Sequence, residues 1–257
     1  MSLRTYFEEL EFDLPTALIQ ALVALLDEMP SATLTEKHVS TVENQQGIYQ
    51  LFLDGELVYI GKTDADAGLQ TRLRRHSKKI QGRISLNSSR VTFKAVRIYV
   101  FTAMDLEELL IAHFGLTSTN SWNNSGFGAN DPGRERDTTK LKEHHFDKKF
   151  PIQLQLSVDV GANGKAQSVN DVLVKLKKAV PYLIRAQTAG GGGKRPHDDL
   201  VETRITIPAK KGLTAERVLR LVKTALGSEW QVTALPGYVV IYKEDRPYSE
   251  GEILLAI

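Results

Sequence analysis

The chain has 257 residues, 42% hydrophobic and 25% charged, with a net charge of +2, so it reads as an ordinary globular protein long enough for two domains. It holds no cysteine, which excludes disulfides and thiolate metal sites and fits a reducing cytoplasm. No run approaches the roughly 18 apolar residues of a membrane span, and Met1-Ser2-Leu3-Arg4 leads into acidic sequence, so neither a membrane contact nor a signal peptide is expected.

Residues 1–46 are an acidic N-terminal extension, with eight acids against Arg4 and Lys37. Within it, Asp13-Leu14-Pro15 followed by Leu18, Ile19, Leu22, Leu25 and Leu26 predicts a capped amphipathic helix ending near Pro30. A polar linker follows, anchored by Leu34, Val39 and Val42. Gly47–Phe52, the turn pair Asp54-Gly55 and Glu56–Gly61 predict a β-hairpin.

Residues 61–100 carry ten Lys and Arg (Lys62, Arg72, Arg74, Arg75, Lys78, Lys79, Arg83, Arg90, Lys94, Arg97) against Asp64 and Asp66. Such a block is the footprint of a polyanion partner, and equally the composition of a solvated basic helix face. Residues 68–82 suit a helix with Leu69, Leu73 and Ile80 inward. Val91–Phe101 suits a third strand and Asp105–Phe114 another helix. Residues 115–139, rich in Gly, Asn, Ser and Thr, form a long loop that closes a domain spanning 47–150.

From Pro151 to Ile257 the pattern is that of a smaller α+β domain. Ile152–Val160 (strand), Ser168–Val180 (helix) and Tyr182–Gln187 (strand) lead into the four-glycine link 190–193. Thr203–Ile207, Thr214–Leu226, and a hairpin of Gln231–Leu235 with Tyr238–Tyr242 follow. The two helices align at an offset of 46: Val172, Leu173, Lys177 and Ala179 recur as Val218, Leu219, Lys223 and Ala225, with Ser168 and Thr214 as N-caps. This reads as a duplicated strand–helix–strand unit.

The hairpin holds Gly47-Ile48-Tyr49, nine residues, then Tyr59-Ile60-Gly61. At background frequencies both triplets near this spacing arise by chance on the order of once in 10⁵ chains. Arg72 and His76 share one face of the following helix, and the next helix reads Leu106-Glu107-Glu108-Leu109-Leu110-Ile111. Then come Trp122-Asn123, Gly126-Phe127-Gly128 and Asp131-Pro132-Gly133-Arg134.

With these residues the chain resembles the GIY-YIG endonuclease superfamily over about residues 10–139, and most closely its type II restriction branch. The resemblance implies a three-stranded antiparallel sheet flanked by helices. It also implies a prokaryotic or phage-encoded enzyme that hydrolyses phosphodiester bonds in double-stranded DNA. Glu107 would hold one hard divalent cation, Mg²⁺ or Mn²⁺, with Glu108 the runner-up. Arg72 would grip the scissile phosphate with its bidentate fork. Tyr49 would serve as general base, either deprotonated by nearby cations or passing its proton to His76. Tyr59 and Lys62 would position water and phosphate, and Arg75, Lys79 and Arg134 would contact the DNA. The family asparagine falls on Asn120 or Asn123, because the usual Pro-x-Trp before it lacks its proline here. One site per chain implies a homodimer for cutting both strands. The rival readings are a homing or repair nuclease on branched or damaged DNA, and a non-catalytic DNA- or protein-binding module on the same fold.

Other candidates fare worse. His144-His145 and His197-Asp198-Asp199 lack partners at metal-ligand spacing, and no Gly-Lys-Ser/Thr follows the four glycines. The hairpin also carries a parity problem. A two-residue turn at Asp54-Gly55 pairs Leu53 with Glu56 and puts the two tyrosines on opposite faces. A shared site therefore requires a longer loop or a bulge, and Gly55 suits a bulged loop.

Overall fold

A computed structural model describes residues 11, 13–63, 67–99, 106–118, 121–129, 133–161, 164–191, 193–209 and 212–257. The chain is mixed α+β, and no helix among the described residues is long and apolar enough to cross a membrane.

Helix α1 (Leu14–Glu28) starts where Asp13 Oδ1 accepts from Thr16 N–H at 3.1 Å and stops before Pro30. The stretch read as a polar linker is part of the core. It forms strand β1 (Ala32–Thr33) and the short helix α2 (Glu36–Val39), and Leu34 and Val39 are buried. Strands β2 (Gly47–Leu53) and β3 (Glu56–Thr63) form the expected hairpin, helix α3 spans Leu69–Ile80, and β4 (Val91–Arg97) follows. The sheet order is β1-β4-β2-β3, all neighbours antiparallel, so a fourth strand extends the expected three. Strand β4 stops at Arg97 because its partner β2 begins at Gly47; Ile98 N–H turns instead to the Gln46 carbonyl. Val100 and Phe101 lie outside the described residues.

Strict alternation along β2 buries one set of side chains on each face. Ile48, with Ile60 of β3, packs with Leu22 of α1 and with Leu106 and Leu110 of helix α4 (Leu106–His113). Tyr49, Leu51, Tyr59 and Phe93 pack on the other face with Leu69, Leu73 and Ile80 of α3, and with Trp122, Phe127 and Phe146. Phe146 opens the short helix α5 (Phe146–Lys149).

Beyond residue 150 the expected strand Ile152–Val160 does not form. Its backbone donors go to three different places, Ile152 to Pro236, Gln153 to Gly82 and Val158 to Leu213, so no ladder can build. The elements are β5 (Ala166–Ser168), α6 (Val169–Ala179), β6 (Leu183–Ala186), α7 (Asp198–Glu202), β7 (Arg204–Thr206), α8 (Ala215–Leu226), β8 (Gln231–Ala234), β9 (Tyr238–Tyr242) and β10 (Glu252–Ile253). Strands β8 and β9 are the expected hairpin, in a sheet ordered β10-β8-β9-β6 with β6 parallel to β9; β5 and β7 form a small separate sheet.

Helices α6 and α8 are capped by Ser168 and Thr214. Their buried faces, Val169, Val172, Leu173 and Leu176 against Ala215, Val218, Leu219 and Val222, coincide at the offset of 46 read from the sequence. Within the glycine run, Ala189–Gly191 makes a short turn with Gly190 at φ 73°, and Gly192 lies outside the described residues.

Candidate active site

The hairpin resolves the parity problem with both a tight turn and a bulge. Asp54 (φ 53°) and Gly55 (φ 88°) form a two-residue turn that pairs Leu53 with Glu56 and Phe52 with Leu57. The register then shifts by one, so Leu51 pairs with Tyr59 and Tyr49 with Gly61. The extra residue brings Tyr49 and Tyr59 onto one face, ring centroids 6.0 Å apart.

Helix α3 lies across that face. The Tyr49 hydroxyl and His76 Nε2 share a hydrogen bond of 2.7 Å, and His76 also meets the Tyr59 ring edge-on at 5.4 Å. One helical turn earlier stands Arg72, whose positive charge acts on both tyrosines. Its Nε is buried with no hydrogen-bond partner among the described residues, and the same holds for His76 Nδ1. Two donor or acceptor sites with nothing to bind are costly in a packed interior unless a ligand takes them. Glu107, half-buried on α4, exerts its field on both tyrosines, whereas Glu108 is exposed. The geometry thus favours Glu107 of the two glutamates.

The glycines of the motif are fixed by close approach. A Cβ on Gly61 would overlap the Tyr49 hydroxyl and lie 2.8 Å from Tyr59 Cε1; one on Gly47 would strike the Val96 carbonyl. Gly61→Ala is expected to lose about 1–3 kcal/mol of stability by overpacking. It should also displace Tyr49, which thermal melts and loss of the His76–Tyr49 contact by NMR would report.

Asn123 grips the backbone of the motif. Its Oδ1 accepts from Ile60 N–H at 3.0 Å and its Nδ2 donates to Ile60 C=O at 2.7 Å. Asn120, the other sequence candidate, lies outside the described residues, as do Asp131 and Pro132.

The cations assigned to DNA divide in two. Lys62 is exposed at the end of β3, and Arg75 extends from α3 beside the tyrosines, its Nη2 3.5 Å from the Ala129 carbonyl. Lys79 and Arg134 are engaged within the chain. Lys79 Nζ donates to the carbonyls of Phe127 (2.5 Å) and Gly126 (3.3 Å), and burial pushes its ammonium down to about 8. Arg134 pairs with Glu244 at 2.7 Å. Much of the basic block is similarly tied: Arg74 to Glu36, Arg83 to Asp147, Arg90 to Asp54 and Arg97 to Glu43. Acids of the N-terminal segment thus neutralise cations that the sequence assigned to a polyanion footprint.

The Gly126-Phe127-Gly128 segment covers the tyrosines. Phe127 stacks on His76 at 4.7 Å and 19°, and meets Tyr59 edge-on at 5.2 Å. Gly128 lies so close to the Tyr59 hydroxyl that a Cβ there would fall 2.7 Å from it. The result is a sealed pair, with Tyr49 1% and His76 3% exposed. The sequence offered no sign that Phe127 would seat on His76, since a Gly-flanked aromatic looks the same in any loop.

Burial sets the electrostatics. It drives the Tyr49 phenol far above its usual value, with Tyr59 and Glu107 adding and Arg72 opposing. Tyr59 is raised chiefly by burial and then by Glu107. His76 is pushed down to about 3, mostly by burial, with Lys79, Arg72 and Arg75 contributing. Both members of the Tyr49–His76 pair are therefore neutral at pH 7.

A stability consequence follows. An unfolded histidine gains its proton near pH 6.5 while folded His76 resists to about 3, so its contribution is complete above pH 6.5 and is lost as pH falls through that window. Across the whole window the loss is on the order of 5 kcal/mol. Denaturant titrations from pH 7 to pH 3.5 should show that slope flattened in His76→Gln; an unchanged slope would mean His76 is not held neutral.

Among the described residues no cluster of three or more His, Asp or Glu could hold a metal. The chain matches no protein-family model, and no curated protein matches it.

Proposed function

We propose that the chain is a metal-dependent endonuclease of the GIY-YIG type acting on double-stranded DNA, with a sequence-specific, restriction-type role. One observation carries the reading: the bulged hairpin places Tyr49 and Tyr59 on a single face, with His76 bonded to Tyr49 and the charges of Arg72 and Glu107 acting on both rings. A hairpin serving only a core has no need to set two tyrosines against a histidine within the fields of a half-buried arginine and a half-buried carboxylate.

The donor set fits a hard divalent cation. A single half-buried carboxylate whose field reaches both phenols suits an ion that keeps most of its waters, as Mg²⁺ does, and does not need an all-protein cage. Bound at Glu107, such an ion would relieve charge on the scissile phosphate.

The chain's own groups supply the rest. The Arg72 guanidinium, with its orphaned Nε, receives the phosphate oxygens through two N–H donors. Tyr49 takes a proton from the attacking water as it gives its own to His76. It stays neutral throughout, as its burial demands. The phosphate's negative charge then favours the imidazolium that burial alone opposes. Asn123 holds Ile60, and through it the strand that carries Tyr59.

The test is incubation of the purified protein with Mg²⁺ or Mn²⁺ and phage, plasmid or complex genomic DNA, followed by sequencing of the ends. Breaks at one recurring sequence support the restriction role. Cutting confined to branched or damaged substrates points to a repair-type nuclease. DNA bound but left intact under all these conditions would falsify the nuclease reading.

A further inference from the structure

The segment that covers the tyrosines is anchored in the other half of the chain. Past Phe127 it turns at Arg134–Arg136 and delivers two side chains to the β6–β9 region. Arg134 pairs with Glu244 and lies over the Tyr242 ring, 4.3 Å from its centroid. Asp137 enters more deeply, and its carboxylate is completely buried. It accepts from both terminal nitrogens of Arg185, 3.2 Å for Nη1, from the Tyr238 hydroxyl at 2.7 Å and from the Tyr242 hydroxyl at 3.2 Å. Arg185 Nη1 also donates to the Tyr242 oxygen at 3.0 Å, closing the network.

Burying a carboxylate costs several kcal/mol, and an apolar residue would have filled the space at less expense. A socket built from a guanidinium and two phenols is therefore more than filler, and such networks specify one arrangement of the parts they join. Asp137 precedes helix α5, while Arg185, Tyr238 and Tyr242 lie beyond it on two neighbouring strands, β6 and β9.

We infer that Asp137 is a positioning residue: locked into the Arg185–Tyr238–Tyr242 socket, it makes the C-terminal sheet the anchor that holds Phe127 over His76 and Tyr59. The C-terminal half is then a working part of the tyrosine site. Lys79 holds the near end of the segment through the Gly126 and Phe127 carbonyls, and the socket holds the far end. With both ends fixed, Phe127 stays in register with His76. With the far end released, the segment is left to Lys79, the Arg75 contact with the Ala129 carbonyl and ring packing. The inference relies on the nuclease reading only where activity is measured.

Full-length Asp137→Asn keeps the shape of the socket and removes the charge. Amide hydrogen exchange of the peptide containing Gly126–Ala129 is expected to rise at least about tenfold, with α1 and α4 unchanged. Where the wild type cuts DNA, kcat should change with Kd for DNA preserved. Tyr242→Phe deletes one hydroxyl from the socket and should shift exchange at the same peptide by a smaller factor; it decides the matter if Asp137→Asn does not fold. Exchange at Gly126–Ala129 equal to wild type in the folded variants overturns the inference, whether or not the protein cuts DNA. A protein that cuts nothing yet shows the exchange change loses the nuclease reading and keeps the anchor.

Discussion

Glu107→Gln and Arg72→Met should each lower DNA cleavage by about 10²–10³-fold or more, the cost typical of removing one preorganised electrostatic partner of a transition state. The pairing with Glu108→Gln gives the experiment its discrimination. The two glutamates are adjacent on α4, yet Glu107 is half-buried with its charge acting on Tyr49 and Tyr59, whereas Glu108 is exposed. Glu108→Gln should cut within a few-fold of wild type. Arg72→Met keeps an unbranched stem and removes the guanidinium, whose Nε is buried without a hydrogen-bond partner among the described residues, so melting temperature should hold while rate collapses. Equal losses in the two glutamine variants, or full activity in Glu107→Gln, would show that the metal does not sit on Glu107.

Asp147→Ala should cost about 3–5 kcal/mol of folding stability, because it strands a buried cation. The Arg83 guanidinium is 4% exposed. Nη1 donates to Asp147 at 2.8 Å and to the Phe150 carbonyl at 3.0 Å, Nε donates to the Lys79 carbonyl at 3.0 Å, and the group lies over the Phe146 ring. Removing the carboxylate leaves that charge without its counter-ion, next to Lys79. Asp54→Asn is the matched control: asparagine tolerates the φ of 53° at this turn position, and the change breaks an Arg–Asp pair of similar chemistry whose side chains are about half exposed. A pair so open to water is screened and contributes little to stability. Chemical denaturation of the two variants should therefore differ several-fold, and comparable losses would remove burial as the cause.

The sequence carried the parts of this fold that depend on local pattern. Asp13 before Leu14-Pro15, the caps Ser168 and Thr214, and the Asp54-Gly55 turn each announce a boundary through short-range chemistry. Strand β1 was invisible because two residues make no period, and it exists only through pairing with Thr92 and Phe93 far along the chain. Ile152–Val160 failed the other way: it alternates like a strand, but no neighbouring backbone was placed to complete a ladder.

The site divides along the same line. Motif spacing picks out Tyr49, Tyr59 and His76, which meet in one cluster, and Arg72 and Glu107, whose charges act on both tyrosines. Asp137 was not named, since a lone aspartate in Arg134-Glu135-Arg136-Asp137 looks like any solvated charge until Arg185 and two tyrosines close on it. Nor does the sequence show that Lys79 is half-buried on the Gly126 and Phe127 carbonyls, or that Arg134, though exposed, pairs with Glu244.

The grip of Asn123 on Ile60 has a consequence for self-association. Strand β3 is the outermost strand of its sheet, and outermost strands offer unpaired backbone groups to any other extended chain. The side-chain amide of Asn123 takes up the outward N–H and C=O of Ile60 together, imitating one residue of a further strand. At its midpoint β3 is thereby closed to strand addition. A second extended chain cannot add at that point, so the motif strand is hindered from pairing with its own kind at high concentration.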